Sequence, residues 1–324
     1  MHLRWAVVDL RELRRRAGFL DEEESRRAAR LAPVRRAQFI TGRWLLRTSL
    51  APLMAVTARG VPLRTRCPRC GSAEHGRPEV RSRGLPWQVS LTHVGRHVGV
   101  LVSRTVLPVG VDVEPVGRRR AVVLLEPKIF GSTLPRQKPH DAGLSALRAW
   151  CLGEAYVKAS GTELASAFRR IRPQPLPGGR LAVPRAPVGG WYLREIPAPA
   201  GHVASAALPA GRYGGPAART EAEEGRWTMA APENPPGTQV FEEEIRTRLE
   251  ERVGHEVARG IGVDERFRDL GVDSLDLVHV LARLERDLEV PQIAAGDLWE
   301  VADTIGTLAR HLARVGAKYP EEPR

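Results

Sequence analysis

Hydrophobic and polar residues follow two different patterns along this chain. Over residues 1–208, short valine-rich runs bounded by glycine and proline predict β-strands. These runs cover residues 3–10, 87–92, 97–102, 109–113, 191–196 and 202–208. Two longer stretches, 22–58 and 144–160, carry apolar residues at helical spacing, and Gly161 follows the second where a helix end favours glycine. Short strands around one or two long helices predict a mixed α+β domain.

The pattern changes after residue 208. Residues 209–237 are rich in glycine, proline and alanine and have no apolar periodicity, which predicts a flexible linker. Residues 238–318 then repeat apolar positions at helical spacing. The amphipathic helices predicted there cover residues 240–253, 275–288 and 301–315. We therefore expect a second, all-α domain over 238–318.

Composition narrows the class of protein. The 324 residues suit about two domains, and the hydrophobic content of 42% is enough for buried cores. No run approaches the roughly 18 apolar residues that span a bilayer, and the first residues lack the apolar stretch of a secretory signal. Three cysteines are too few for a disulfide framework. A cytoplasmic protein without membrane partners is expected.

Charge is divided unevenly between the two regions. Residues 1–208 hold 35 basic and 15 acidic residues, a net +20, whereas 238–318 hold 11 basic and 17 acidic residues, a net −6. The basic region should attract nucleic acid, a phosphorylated small molecule or an acidic protein. Because aromatic residues make up only 5% and no nucleic-acid-binding motif appears, nucleic acid is the least expected of these partners.

The segment LGVDSLD, residues 270–276, lies where a loop turns into a predicted helix. Asp273 or Ser274 there is typical of a helix N-cap. The Ser274 hydroxyl has a second possible role, because a phosphate attached to it would be stabilised by the helix N-terminus.

With its flanking helices, this segment resembles the acyl carrier protein family over residues 238–318. The resemblance implies a four-helix bundle, a 4′-phosphopantetheine arm attached to Ser274, and synthase enzymes that load or use the carrier. The helix after Ser274 is less acidic than is usual in that family. It contains His279, Arg283 and Arg286.

Two acidic residues mark the basic region. Asp112 and Glu114, in GVDVE, are two apart on a predicted strand and so project from one face. They suit a metal ion, a pair of solvated surface acids, or acids paired with arginines 118–120. Glu154 and Lys158, in WCLGEAYVK, share one helix face. They form either an exposed ion pair or a metal ligand beside a phosphate contact.

Taken together, these motifs resemble the Sfp-type 4′-phosphopantetheinyl transferases. Upstream, HGRP at 75–78 and VSLTHVG at 89–95 are similar to two further elements of that family. The resemblance implies two similar α/β halves with coenzyme A between them. It implies that Mg²⁺ is held by Asp112, Glu114 and Glu154, with Glu154 as the general base. The implied coenzyme A contacts are Arg35, Arg43, Arg77, Thr92, His93, Asp112 and Lys158.

One position departs from the transferase motifs, and one cluster raises the separate question of a zinc site. Gly153 stands where the family has a lysine, so a positive charge near the phosphates is missing. Cys67, Cys70 and His75 fall short of the four ligands of a structural zinc site, and a turn is expected there. The hypothesis is a transferase joined to a carrier, able to modify its own Ser274 or separate acyl carriers. The alternative is a weakened transferase that acts as a scaffold for a carrier modified by another enzyme.

Overall fold

A computed structural model describes most of the chain. It describes residues 1–66, 77–81, 84–122, 129–130, 139–162, 164–210, 235, 237–290 and 302–316. The chain divides into two compact units, Met1–Gly215 and Pro216–Arg324, which we call the N-terminal and C-terminal units. The predicted turn with Cys67, Cys70 and His75, and nearly all of the predicted linker, lie outside the described residues.

The N-terminal unit is built from two halves, each with strands around one 22-residue helix. The first half comprises β1 (His2–Val7), α1 (Leu13–Ala17), α2 (Glu22–Arg30), α3 (Pro33–Met54), β2 (Leu63–Arg66), β3 (Arg77–Val80), β4 (Trp87–Val94) and β5 (His97–Arg104). The second comprises β6 (Gly110–Pro115), α4 (Arg119–Val122), α5 (Pro139–Ser160), α6 (Leu164–Ile171), β7 (Gln174–Leu176), β8 (Arg180–Ala182), β9 (Trp191–Ile196) and β10 (His202–Pro209).

The two halves repeat one topology. Their three-stranded antiparallel sheets have the orders β1-β5-β4 and β6-β10-β9. In each half the chain runs strand, long helix, two-stranded hairpin and then two more strands, and the last strand occupies the centre of the three-stranded sheet. The prediction of a mixed α+β domain is confirmed.

The helical pattern over 22–58 is divided between two helices. Asp21 and Glu24 form a capping box that begins α2. Pro33 begins α3, and the residue before a proline is pushed out of the helical region, so Ala32 has extended backbone angles. Gly161 has a φ of 72° after α5, as its position in the sequence predicted.

One glycine brings α5 close to the strand that carries the acidic pair. A Cβ on Gly110 would lie 1.8 Å from the carbonyl oxygen of Ala155 and 3.0 Å from the Ala159 nitrogen. Only glycine therefore lets the α5 backbone contact β6 here. Since side chains alternate along a strand, Asp112 and Glu114 lie on the same face as Gly110, towards α5.

The C-terminal unit is helical in its described part. It comprises α7 (Thr238–Val253), α8 (His255–Gly260), α9 (Phe267–Leu270), α10 (Ser274–Asp287) and α11 (Ile305–Arg314). On α7, Phe241, Ile245 and Leu249 are buried and Val253 is half-buried. On α10, the apolar residues at helical spacing, Leu277, Leu281 and Leu284, are buried as well. Among the described residues of both units, no helix is long and apolar enough to cross a membrane.

Candidate functional site

The acidic strand lies at the seam between the two halves of the N-terminal unit. The Val111 amide of β6 donates to Ser90 Oγ of β4 at 3.1 Å. At the next residue of β6, Asp112 Oδ1 accepts a hydrogen bond from Thr92 Oγ1 of β4 at 3.1 Å. Thr92 is buried, and it contacts a carboxylate rather than lying open to a ligand. The seam therefore joins a hydroxyl of the first half to a carboxylate of the second.

The acidic pair on β6 is deeply buried. Asp112 and Glu114 are each 6% exposed. Cys151 of α5 lies behind them, with its thiol donating to the Val203 carbonyl at 3.8 Å. Burial, together with the charges of Asp112 and Glu114, raises the pKa of the Cys151 thiol well above its ordinary value. The thiol therefore stays protonated, and the face of α5 over the carboxylates is neutral at this position.

Positive groups of the chain itself lie against the carboxylates. Lys158 Nζ donates to Asp112 Oδ1 at 2.6 Å and to the Val111 carbonyl at 3.2 Å. Burial lowers the pKa of Lys158, but the charges of Asp112 and Glu154 outweigh it and raise that pKa overall. Arg118 Nη1 lies 3.7 Å from Glu114 Oε2. Pairing with a downstream arginine, one of the interpretations left open by the sequence, is thus present at Glu114.

Asp112 has one oxygen that is saturated and one that is not. Oδ1 accepts from both Thr92 and Lys158, whereas Oδ2 is buried and accepts no hydrogen bond from the residues that the structure describes. A buried carboxylate oxygen without a donor is costly. A cation at Oδ2 would remove that cost, because hard divalent ions bind through one or two carboxylates and the phosphates of a substrate.

The three-carboxylate metal site predicted from sequence stays a prediction. Asp112 and Glu154 both act on Lys158, which places Glu154 in the same region. Within the described ranges, however, no three histidine, cysteine, aspartate or glutamate side chains are grouped so as to hold a metal ion. Among the described residues, the two β6 carboxylates are the groups that could hold such an ion.

His93 faces the helix of the first half. The Arg35 guanidinium of α3 contacts the His93 ring and also donates to Gln38 Oε1 at 2.8 Å. Burial, followed by the charges of Arg35 and Lys158, lowers the pKa of His93 well below its ordinary value of 6.5. The imidazole is therefore neutral at pH 7, in contact with the Arg35 guanidinium and subject to the charge of Lys158.

Arg43, predicted as a phosphate contact, lies inside a closed ionic cluster. Its Nε is 3.1 Å from Glu24 Oε1, and its Nη2 donates to Thr65 Oγ1 at 2.8 Å. Arg47 binds the same glutamate through contacts of 3.0 and 2.9 Å. Burial lowers the pKa of Arg43 to about 10, so it remains charged at neutral pH. This position makes Arg43 a structural cation under α2 as well as a candidate ligand contact.

A pocket above this cluster carries arginines that the sequence analysis did not single out. It lies between α2 and β2, and its charged lining comprises Asp21, Glu23, Glu24, Arg26, Arg27, Arg30 and Arg64. Arg77 begins β3, the partner strand of β2. On α2 these arginines have the spacing of an ordinary solvated helix face. Only the folded β2–β3 hairpin shows that they line a pocket.

The start of α10 in the C-terminal unit is held by two aspartates. Asp273 is the N-cap and accepts from the Asp276 amide at 2.9 Å, which confirms the capping expectation. Asp276 is 3% exposed, and its Oδ1 accepts from Arg252 of α7 at 3.1 and 2.7 Å. Ser274 is the first residue of α10, and its side chain lies outside the described part of the chain. Its backbone therefore occupies a fixed loop-to-helix junction.

Charged residues on α10 form ion pairs with residues of α7. Arg283 binds Glu251, and Asp287 lies 2.9 Å from Arg248 Nη2. Together with Asp276 and Arg252, these contacts tie α10 to the neighbouring helix. The unusually basic residues noted on this helix in the sequence thus include one, Arg283, that is engaged within the unit.

Comparison with protein families bears on the C-terminal unit. Residues 243–312 match the family model described as phosphopantetheine attachment site. This region contains α10 with Ser274 at its start. No curated protein matches the chain. The C-terminal unit thus contains a phosphopantetheine carrier domain.

Proposed function

We propose that the N-terminal unit transfers the 4′-phosphopantetheine group of coenzyme A to a carrier serine, Ser274 of its own chain or of another acyl carrier. A carrier domain on the same chain supplies an acceptor for this reaction. The observation that carries the proposal is the seam, where two buried carboxylates, an unsatisfied Asp112 oxygen and Lys158 meet. Three of the segments that resemble phosphopantetheinyl transferase motifs supply these contacts: VSLTHVG supplies Thr92, GVDVE supplies Asp112 and WCLGEAYVK supplies Lys158.

The proposed positions of Mg²⁺ and of the coenzyme A phosphates follow from the acidic and basic side chains near the seam. Asp112 and Glu114 would hold Mg²⁺ through their carboxylate oxygens, and a bound Mg²⁺ would stabilise charge on the phosphates. His93 and Arg35 lie next to this position, and Arg77 belongs to the hairpin that closes the arginine pocket. These groups supply donors for the pyrophosphate and the 3′-phosphate of coenzyme A.

The proposed reaction is a phosphoryl transfer. The serine oxygen attacks the β-phosphorus of coenzyme A, and the bond to the bridging oxygen breaks. Adenosine 3′,5′-bisphosphate leaves, and a phosphodiester forms on the serine. Glu154 takes the serine proton, and Lys158 contacts the phosphate under attack. Positioning and charge stabilisation supply most of the catalysis.

Mass spectrometry of the intact chain tests the proposal. After incubation with coenzyme A and Mg²⁺, the Ser274 peptide should gain one phosphopantetheine group. Asp112→Asn should abolish the gain, whereas Glu195→Gln, which removes a partly exposed carboxylate of the same unit, should leave it intact. No gain on this peptide or on an added apo carrier protein would contradict the proposal. A per-molecule rate that is independent of protein concentration would identify transfer within one chain.

A second candidate is the scaffold, in which the carrier domain is modified by a separate enzyme. Two observations favour it: Gly153 is a buried glycine where a lysine is expected, and Lys158 already neutralises Asp112. Under this alternative, a separate phosphopantetheinyl transferase would modify Ser274 while the chain alone would not. In either case the carrier domain implies synthase enzymes as partners.

A further inference from the structure

Lys158 contacts the carboxylate that the proposed function assigns to a divalent cation. Its ammonium lies 2.6 Å from Asp112 Oδ1, and its side chain is 31% exposed. Asp112 itself is 6% exposed, so the lysine is the partner with a side open to solvent. A lysine ammonium is a compact charge on a flexible stem, which can leave one acceptor for another.

The rest of the seam fixes Asp112 without help from Lys158. Thr92 Oγ1 donates to Oδ1, and the strand pairing of Asp112 with Ser205 holds the backbone. Because Oδ2 is buried without a hydrogen bond among the described residues, the carboxylate retains capacity for a second positive group. Two cations that share one carboxylate repel each other strongly where water is scarce.

We propose that Lys158 is an exchangeable counter-ion, which neutralises Asp112 until a divalent cation binds and is then released to contact the phosphates of the substrate. This inference rests on the proposed function, and it adds an order of events at the same site. Lys158 is thereby a positioning residue before the cation arrives and a phosphate contact afterwards. The exchange keeps the buried carboxylate neutralised at every stage, which avoids an uncompensated buried charge.

Binding of Mn²⁺, followed by electron paramagnetic resonance, tests the exchange without any catalytic readout. Lys158→Met should bind Mn²⁺ at least roughly tenfold more tightly than the unaltered chain, because a competing charge is gone. Arg148→Met removes a positive charge from the same helix, at a residue paired with Glu195 at 2.5 Å, and should leave Mn²⁺ affinity unchanged. Asp112→Asn should lose binding.

The outcomes separate the exchange from the proposed function. Equal or weaker binding by Lys158→Met overturns the exchange and leaves a metal-dependent transferase standing. Binding by Lys158→Met alone overturns the exchange, because Lys158 then blocks the cation instead of giving way to it, and it also argues against a metal-dependent activity in the unaltered chain. Absence of binding in both overturns the exchange, because no cation then competes for Asp112.

A measurement on the unaltered chain covers the case in which Lys158→Met does not fold. The chain has only four lysines, at positions 128, 138, 158 and 318. Acetylation of Lys158 by acetic anhydride, read by mass spectrometry against Lys318, should become faster when Mn²⁺ saturates the protein. The same relative rate with and without Mn²⁺ would overturn the exchange.

Discussion

The two halves of the N-terminal unit share a topology but use buried charge differently. In the first half, Glu24 binds Arg43 and Arg47, and all three side chains are less than 10% exposed. In the second, Asp112 binds Lys158, which is 31% exposed, and one Asp112 oxygen has no hydrogen bond among the described residues. Buried charges that pair with one another mainly stabilise the fold, whereas a carboxylate that keeps an unsatisfied oxygen can take a further partner. We therefore expect the first to govern stability and the second to govern chemistry.

The largest expected effect is on the closed cluster. Glu24→Gln leaves Arg43 buried without its carboxylate partner and leaves Arg47 only the exposed Asp21 at 3.6 Å, so it should cost about 3–5 kcal/mol in the free energy of unfolding. Urea denaturation measures it. Glu79→Gln is the matched control, since its pair with Arg64 is exposed and should cost less than about 1 kcal/mol. Equal costs for the two variants would refute the distinction between closed and exposed charge.

The second-largest loss of stability is expected where α5 packs against Gly110 of β6. Gly110→Ala places a Cβ against the Ala155 carbonyl, so α5 must shift away from β6, at a cost of about 3 kcal/mol. Thermal unfolding should reveal this loss. Gly117→Ala has nothing within 4 Å of the added Cβ and should change stability by no more than about 0.5 kcal/mol. A stable Gly110→Ala variant would show that α5 does not approach β6 as described.

At the Asp112–Lys158 pair, a substitution should affect activity more than stability. Asp112→Asn removes the proposed cation ligand and should lower the transfer rate by at least about 100-fold, since a metal supplies several kcal/mol of charge stabilisation. Its stability should fall by only about 1 kcal/mol, because Lys158 can turn towards solvent. Parallel rate and unfolding measurements check both. A large stability loss with unchanged transfer would make Asp112 a structural residue like Glu24.

These contrasts show what the sequence could and could not reveal. Alternating valines located β4, β5 and β6, and helical spacing located α5, α7 and α10, because each pattern is local. The short hairpins β2–β3 and β7–β8 lack a clear alternation and were not predicted. The pairing of Lys158 with Asp112 joins residues 46 apart, and the pocket arginines of α2 resemble a solvated face. Contacts of this kind depend on the folded arrangement and leave no local pattern.

A smaller effect concerns pH at the seam. Because the folded state holds the pKa of His93 below its ordinary value of 6.5, the unfolded chain takes up a proton that the folded chain refuses. Stability should therefore be complete above about pH 6.5 and fall as the pH drops below it. Urea denaturation of the N-terminal unit on either side of this pH measures the change.

His93→Gln should flatten that dependence. His255→Gln, at an exposed position of the carrier domain, should leave it as it was. A dependence that survives His93→Gln would assign it to another group.

The smallest expected effect is a loss of stability confined to the carrier domain. Asp273→Ala removes the N-cap of α10 and should destabilise the carrier domain by about 1 kcal/mol. Loss of this cap should leave the N-terminal unit unchanged. Hydrogen exchange of α10 and of β6 measures the two units in one sample, and faster exchange in β6 would contradict this prediction.

The proposed transfer predicts that this chain can modify its own carrier serine. Purified protein, supplied with coenzyme A and Mg²⁺ and no other enzyme, should release one adenosine 3′,5′-bisphosphate for each phosphopantetheine that appears on Ser274. Chromatographic quantification of that nucleotide measures this directly. Release that matches modification supports the claim, and it should be absent when Asp112 is asparagine. A chain that remains unmodified, yet is modified once a separate phosphopantetheinyl transferase is added, would contradict it.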